Sequence, residues 1–539
     1  MTMNEEQKSF WWKIWGRPIR FFLWLALFSS IGLFVSGLII HKIRSGRGLN
    51  ENDLVVLWVF LISAGILIAS VPGLILSAIP QTRFLTMWAL RRWFFCAAAF
   101  ATLIAFFYAE ENWRGKHVWE QRKIEMRARG MELNWDTYIP PAVPDDQNIF
   151  KAPKMQEWFV GRGIKDLDSR LRNRLTDSVG VSNAIVTETA ARDYLSWSDK
   201  FAPDFDLIRQ GLQRPFARMD GNYSDPALLP IPDFLTIRDV ARYLAQRAHC
   251  HFLLHEPEQA LSDLTLMLGL CRLCQGAPTG KPMTLVAAMI NVAVTGLYVD
   301  TIREGFRLHA WQDAQLAALQ QQLKDISLMT FVVGAFATEP AAACRTIETA
   351  SIKKVFSALE SGIDPFSVMP RGWLYLNLVS VVDADEMQVH TFDLVRDSVS
   401  PAASKEASRR VEAFLAGKSP LKIAARIAVP NFVKATQTTA RNQNSVNEAL
   451  VACALERYHL AHNEYPESLD ALVPQFIDKL PHDVINGGPL NYRKTGESFV
   501  LYSVGWNEKD DGGTPGVVDR NGTPDWNDGD WVWQPAPKN

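Results

Sequence analysis

The chain has little excess charge and few cysteines. Its net charge is −2 over 539 residues and no extended Lys/Arg run appears, which excludes the broad electrostatic attraction that nucleic-acid binding needs. Of its six cysteines, Cys96 lies in an apolar stretch, and Cys250, Cys271, Cys274, Cys344 and Cys453 follow it. Five thiols without paired spacing exclude a disulfide scaffold. Catalytic signatures are missing too. There is no G-x-S-x-G elbow and no Gly-rich dinucleotide fingerprint. "GAPTGKP" (276–282) is one residue short of a phosphate loop and lacks its Ser/Thr. His251, His255 and Glu256 do not have zinc-protease spacing, and Pro257 breaks the helix that such a motif requires.

Long hydrophobic runs, by contrast, are present. Residues 21–40, FFLWLALFSSIGLFVSGLII, carry no charge, and about twenty helical residues span roughly 30 Å, the thickness of a bilayer core. Residues 54–79 form a second run, with Pro72–Gly73 inside it. Residues 93–108 form a third, flanked by Arg91–Arg92, whose long stems can reach the interface. Trp11, Trp12, Trp15, Trp93 and Trp113 stand near the run ends, as interfacial anchors do. Three N-terminal transmembrane helices are expected over 1–108, with the lipid bilayer as one partner. Lys and Arg counts on the two sides tie if Arg114, Lys116, Arg122 and Lys123 are included. A long domain crosses largely regardless of its own charge, so discounting these four places the large domain outside the cytoplasm. The expected location is a bacterial inner membrane with the domain in the periplasm.

After the third run the charged stretch 109–130 is expected to continue its helix. "YIPPAVPDDQNIFKAP" then reads as a Pro-rich connector, completing a segment 109–153. Residues 154–440 form a helical domain. In "VARYLAQRAHCHFLL", Val240, Leu244, Ala248 and Phe252 recur at helical spacing, and Pro257 suits the first turn of the next helix. That helix aligns Ala260, Leu264, Met267, Leu268, Cys271 and Cys274, so both cysteines read as buried packing residues. The pair forms an αα-hairpin without a repeating period. "MTLVAAMINVAVTGLYVDTI" reads as a buried core helix rather than a fourth span, because Asn291 interrupts it. "SVSPAASKEAS" (398–408) reads as an exposed loop. Residues 441–539 change character: a helix ending before Pro466, a short helix at "ESLDALVP", then strand, turn and strand. The fold class is therefore mainly α, with transmembrane helices, a helical-hairpin soluble domain and a small α+β C-terminal module.

"ALERYHLAHNEYPESLDALVPQFIDKLP" followed by "GGPLNYRKTGESFVLYSVGWNEKDDGG" resembles the C-terminal globular domain of type II secretion pseudopilins. The resemblance covers about a hundred residues. It implies a long helix, a Tyr-Pro turn, a short helix and a small antiparallel sheet. It also implies a calcium-binding loop after the Tyr-Ser-x-Gly strand end. Here Ser503, Asn507, Asp510, Asp511 and Asp530 are the oxygen donors in and near that loop, although Trp506 and Asn507 stand where a small residue and an Asp are usual. The cleavable leader and single polymerising helix of pseudopilins are not matched, so filament formation by the pilin route is not expected. Most of the chain also resembles a family of uncharacterised membrane-anchored bacterial proteins. His459 and His462, one helical turn apart with Glu464 near, read as surface or packing residues before they read as ligands of a weak metal site. The function expected is binding or scaffolding at the cell envelope with a protein partner, linked to a secretion or pilus-like assembly. The alternative is a membrane-anchored hydrolase with its site in the helical domain.

Overall fold

The computed structural model describes residues 83–160, 187–275, 284–349, 369–389, 391–417, 419–429, 432–517 and 525–533. The expected spans 21–40 and 54–79 and the segment 276–282 lie outside the described residues. The chain divides into two compact units, Met1–Glu120 with Ala350–Leu376, and Gln121–Thr349 with Asn377–Asn539.

In the first unit the third apolar run lies within helix α1 (Arg83–Ala128), which continues unbroken through the charged stretch as expected. Phe95, Phe100, Leu103 and Phe106 are all exposed, and no residue of the most apolar window is buried. A bare aromatic face is stable only in an apolar solvent. Beyond the run, Glu111 Oε2 accepts from Arg114 Nη2 at 2.6 Å and from Trp373 Nε1 at 2.8 Å. Asn112 accepts the Gly372 amide at 2.8 Å. Gly372 belongs here because a Cβ would collide with the Glu111 carbonyl.

The second unit is mainly helical. Its described helices, after the last turns of α1, are α2 (Pro153–Phe159), α3 (Glu188–Ser198), α4 (Ala202–Leu212), α5 (Phe234–Leu253), α6 (Pro257–Leu270), α7 (Leu285–Arg307), α8 (Asp313–Lys324), α9 (Leu328–Glu348), α10 (Arg371–Val389), α11 (Pro401–Leu415), α12 (Ile423–Ala428) and α13 (Phe432–His462). The Pro-rich connector folds as single 3-10 turns at Trp135–Tyr138, Asp145–Gln147 and Ile149–Lys151, short enough to fit between its prolines.

The α5–α6 hairpin forms as expected, with Pro257 opening α6. Val240, Leu244, Ala248 and Phe252 are all buried. The hairpin starts earlier than its apolar pattern, because the Asp233 carboxylate caps the Thr236 amide at 3.0 Å. Two expectations need correction. Helix α6 ends at Leu270, and Cys271–Cys274 form a 3-10 turn rather than continuing the stripe. "SVSPAASKEAS" is not a loop: Ser398–Val399 is a strand and Pro401 opens α11. Ser400 caps that helix, accepting the Ala403 amide at 3.1 Å. Ser-Pro, taken as a loop signal, is here an N-cap followed by a first-turn proline.

Among the described residues, three helical stretches are long and apolar enough to cross a membrane: Arg92–Ala128, Leu285–Arg307 and Asp313–Glu348. The latter two differ from the first, being 61% and 44% buried over their most apolar windows. Within α7, Asn291 Nδ2 reaches the Cys271 carbonyl at 3.4 Å and Thr295 Oγ1 lies 3.7 Å from Cys271 Sγ. These polar atoms are satisfied by the protein itself, as in a core helix.

Helix α13 begins at Phe432, well before the boundary expected at 440/441, and packs on α7, α8 and α9. One hydrophobic cluster contains Leu264, Tyr298, Leu316, Ala452, Leu472, Leu501 and Trp533, so the C-terminal sheet and the helices share a core. Strands β1 (Phe392–Asp393) and β2 (Ser398–Val399) form a small hairpin. Strands β3 (Asn491–Thr495) and β4 (Ser498–Ser503) pair antiparallel across a two-residue turn, and β5 (Trp531–Val532) adds to β4. The sheet order is β3-β4-β5.

Candidate functional site

The loop that follows β4 is closed by side chains from within itself. Asp530 is buried, and its two oxygens accept the amides of Asp511 at 3.2 Å and Gly513 at 2.6 Å. Its own amide donates to the Thr514 carbonyl at 2.8 Å. Gly513 adopts φ +80°, where a Cβ would also press on Val500. Asp510 turns the other way, accepting from Tyr502 Oη at 2.9 Å and from the Gly512 amide at 2.9 Å. Asn507 Nδ2 donates to Asp511 Oδ2 at 2.8 Å and to Asp528 Oδ1 at 3.3 Å. Trp506 and Trp531 stack with ring centroids 6.4 Å apart, covering the loop base.

The expected ligands are thus dispersed. Asn507 and Asp511 meet, with Asp528 as an unexpected third member, whereas Asp530 is committed to backbone amides and Asp510 to Tyr502. Ser503 is fully buried beneath the loop. Among the described residues, no group of three or more His, Cys, Asp or Glu is placed to hold a metal. The donor set fits a hard cation in part. An amide nitrogen sits between two carboxylates, and turning its oxygen inward would create a three-sided oxygen cradle. That turn would release the Asn507 Oδ1 bond to the Lys509 amide, now 3.0 Å.

Beneath the loop lies a polar knot that sequence reasoning missed. Asp483 is fully buried. Its Oδ1 accepts from Asn444 Nδ2 at 3.0 Å, Ser503 Oγ at 2.9 Å and the Ile485 amide at 2.8 Å. Its Oδ2 accepts the Val504 amide at 3.1 Å. Asn444 also donates to Ser503 Oγ at 2.9 Å and accepts the Val484 amide at 3.0 Å. One turn along α13, Glu448 is buried as well. The available signal was polar residues at i and i+4, Asn444 and Glu448, in line with the buried apolar positions Val451, Ala452 and Leu455.

The helical hairpin holds a second buried polar group. Arg247 Nε meets Asp263 Oδ2 at 3.0 Å, its Nη1 meets Asp199 at 3.0 Å, and it also donates to Ser198 Oγ. His251 Nδ1 lies 2.8 Å from Glu256 and its Nε2 3.7 Å from Asp263. Burial pushes the Asp263 carboxyl up, and the Arg247 and His251 charges oppose it. Ser198, Arg247, His251 and Asp263 are all enclosed, so the cluster ties α3, α5 and α6 together. A shallow groove beside it, between α4 and α6, is lined by Arg209, Gln213, Glu258, Ser262, Thr265 and Arg272.

Cys271 and Cys274 are buried free thiols. Burial pushes Cys271 up to about 12 and Cys274 well above the usual thiol range. His459 stacks on Tyr465 at 4.6 Å and His462 lies over Tyr458 at 4.3 Å, whereas Glu464 pairs with Lys494 at 3.3 Å. His459 is half-buried against Tyr465, and His462 is exposed. No family model, curated protein or solved structure matches the chain.

Proposed function

We propose that this chain is a membrane-anchored binding or scaffolding protein of the bacterial cell envelope, acting through a protein partner of a secretion or pilus-like assembly. The observation that carries the anchoring is the bare apolar face of α1 over residues 93–107, set against the dense packing of α7 and α9. The binding role is supported by how the buried polar clusters are used. The Arg247–Asp263 and Asp483–Asn444 groups are spent on joining elements, with no nucleophile and base converging on open space. The pseudopilin resemblance of the last hundred residues supports the kind of assembly, and the Asn507–Asp511–Asp528 triangle is the place where calcium would bind. A hydrolase would draw on the α4–α6 groove, whose polar side chains include no paired nucleophile and base.

Two experiments test the reading. A reporter active only in the cytoplasm, fused after residue 539, should stay silent if the large domain is periplasmic; strong activity inverts the orientation. Affinity purification from gently solubilised membranes should enrich an envelope assembly component stoichiometrically. Recovery of the chain alone, together with hydrolytic activity lost on altering the α4–α6 groove, would replace the binding reading.

A further inference from the structure

Two carboxyl groups, Glu448 and Asp483, lie at the junction of α7, α13 and β4, and their surroundings differ sharply. Asp483 accepts bonds from Asn444, Ser503 and the amides of Ile485 and Val504. Every one of these partners is a donor, which is the bonding pattern of a carboxylate. Glu448 is equally enclosed, at 1% exposure. It receives the Ser503 amide, but its Oε1 has no hydrogen-bond partner among the described residues. A buried charge with an unpartnered oxygen costs far more than a neutral acid in the same place.

The charged neighbours do not reverse this. Arg303, on α7, attracts Glu448. Its Nη1, however, is bound to Asp300 at 2.6 Å and its guanidinium is stacked on the Trp533 ring at 4.6 Å, while its buried Nε makes no hydrogen bond to Glu448 or to any other described residue. Arg441, on α13 itself, lies over Trp526 at 4.2 Å, within the field of Asp300 and Arg303. Asp483 repels a second negative charge. Glu448 and Asp483 thus share one enclosed corner in unlike hydrogen-bonding surroundings.

We propose that Glu448 is a buried proton-binding site that makes the seating of the C-terminal sheet on α13 respond to pH. The protonated acid lets β4 lie against the helix, with Ser503 held by Glu448 through its amide and by Asp483 through its hydroxyl. Release of the proton sets a second anion beside Asp483, directly under β4, and works against that contact. The sheet carries the 505–513 loop and the Trp531–Trp533 segment, so both would loosen with it.

The sign follows from linkage. Glu448 holds its proton in the folded state to a higher pH than the ordinary glutamate value of about 4.3. Folding is therefore unpenalised in acid and weakens as pH rises, by up to about tenfold in the folding equilibrium per pH unit for one proton. The test uses the full chain in detergent micelles, comparing wild type with Glu448→Gln and Glu448→Met across pH. Matched melting in acid is expected, with an advantage for both variants that grows as pH rises. Wild-type-minus-variant infrared difference spectra should contain a protonated-carboxyl band that persists above the pH at which an ordinary glutamate ionises, the same for both variants. Should the Gln form fail to fold, the Met form carries the same comparison. Variants that keep the wild-type pH profile and the band, or that both fail to fold at every pH, overturn the proposal.

Discussion

Asn444 and Asp483, one on α13 and one ahead of β3, are joined at 3.0 Å in a fully enclosed pocket. Their bond fixes the helix to the sheet. Asp483→Ala would leave the Ser503 hydroxyl and the amides of Ile485 and Val504 without their acceptor, and Asn444 with only Ser503 to donate to. Each buried donor left unpaired costs about 1–3 kcal/mol. Thermal unfolding should therefore show the alanine form strongly destabilised, and Asn444→Ala less so because it removes fewer bonds. Asp478→Ala should change stability little, since Asp478 is 81% exposed in its pair with Lys324. Equal effects at positions 478 and 483 would contradict the knot as a tie.

A second tie joins the last turns of α1 to α10. Arg122 Nη2 lies 2.7 Å from Asp383 and 2.5 Å from Glu386. Both carboxylates are partly buried, and burial pushes Asp383 up while Arg122 opposes it. Arg122→Met keeps the stem and removes the charge. It should lower stability by about 1.5–3 kcal/mol, the range for hydrogen bonds to charged groups. Arg122→Lys should recover only part of that, because one ammonium on a shorter stem does not reproduce the planar head that reaches Asp383 and Glu386 through Nη2 and Glu125 through Nη1 at 2.9 Å. Melting curves of the two variants decide it, and identical curves would show that the fork is idle.

The paired cysteines behave as packing groups. With Cys271 pushed up to about 12 and both thiols enclosed, neither should react with a maleimide in the native protein at neutral pH. Labelling at these positions, located by mass spectrometry, should appear only on unfolding. Replacing either with alanine should cost about 1–3 kcal/mol through lost contacts. Rapid native labelling would make them reactive groups instead.

Amphipathic spacing made the α5–α6 hairpin and α13 legible, because buried apolar residues at 3.6-residue intervals leave a direct trace. The β3–β4 hairpin was legible from its alternation and Gly496. What spacing hides is a polar residue that faces inward. Asp263 and Asp483 look like solvent-side acids, and only the arrival of Arg247 from another helix, or Asn444 from another element, makes their burial tolerable. Ser400–Pro401 misled for a related reason, since the residues that end one element also begin the next. The acidic loop was found but its internal allegiances were not. Whether a carboxylate points at an amide, as Asp530 does, or at a neighbouring side chain, as Asp511 does, depends on backbone geometry that sequence spacing does not encode.

The loop itself supplies the last prediction. Calcium takes six to eight oxygens, and Asn507, Asp511 and Asp528 are the side chains already gathered. If calcium enters, it stabilises the folded chain by mass action, about 2.7 kcal/mol at a hundredfold excess over Kd. The full chain is the right sample, because α13 and the sheet share a core with the helices. Millimolar calcium should raise its melting temperature, and magnesium, which demands tighter octahedral geometry, should do so less. Asp511→Ala should abolish the shift. Asp510→Ala should leave it intact, since that carboxylate serves Tyr502 and Gly512. Asp530→Ala should lower stability with or without calcium by freeing the amides of Asp511 and Gly513. A melting curve that calcium leaves unmoved, with the Asp530 effect still present, would show a loop held by its own amides and closed by Trp506 on Trp531.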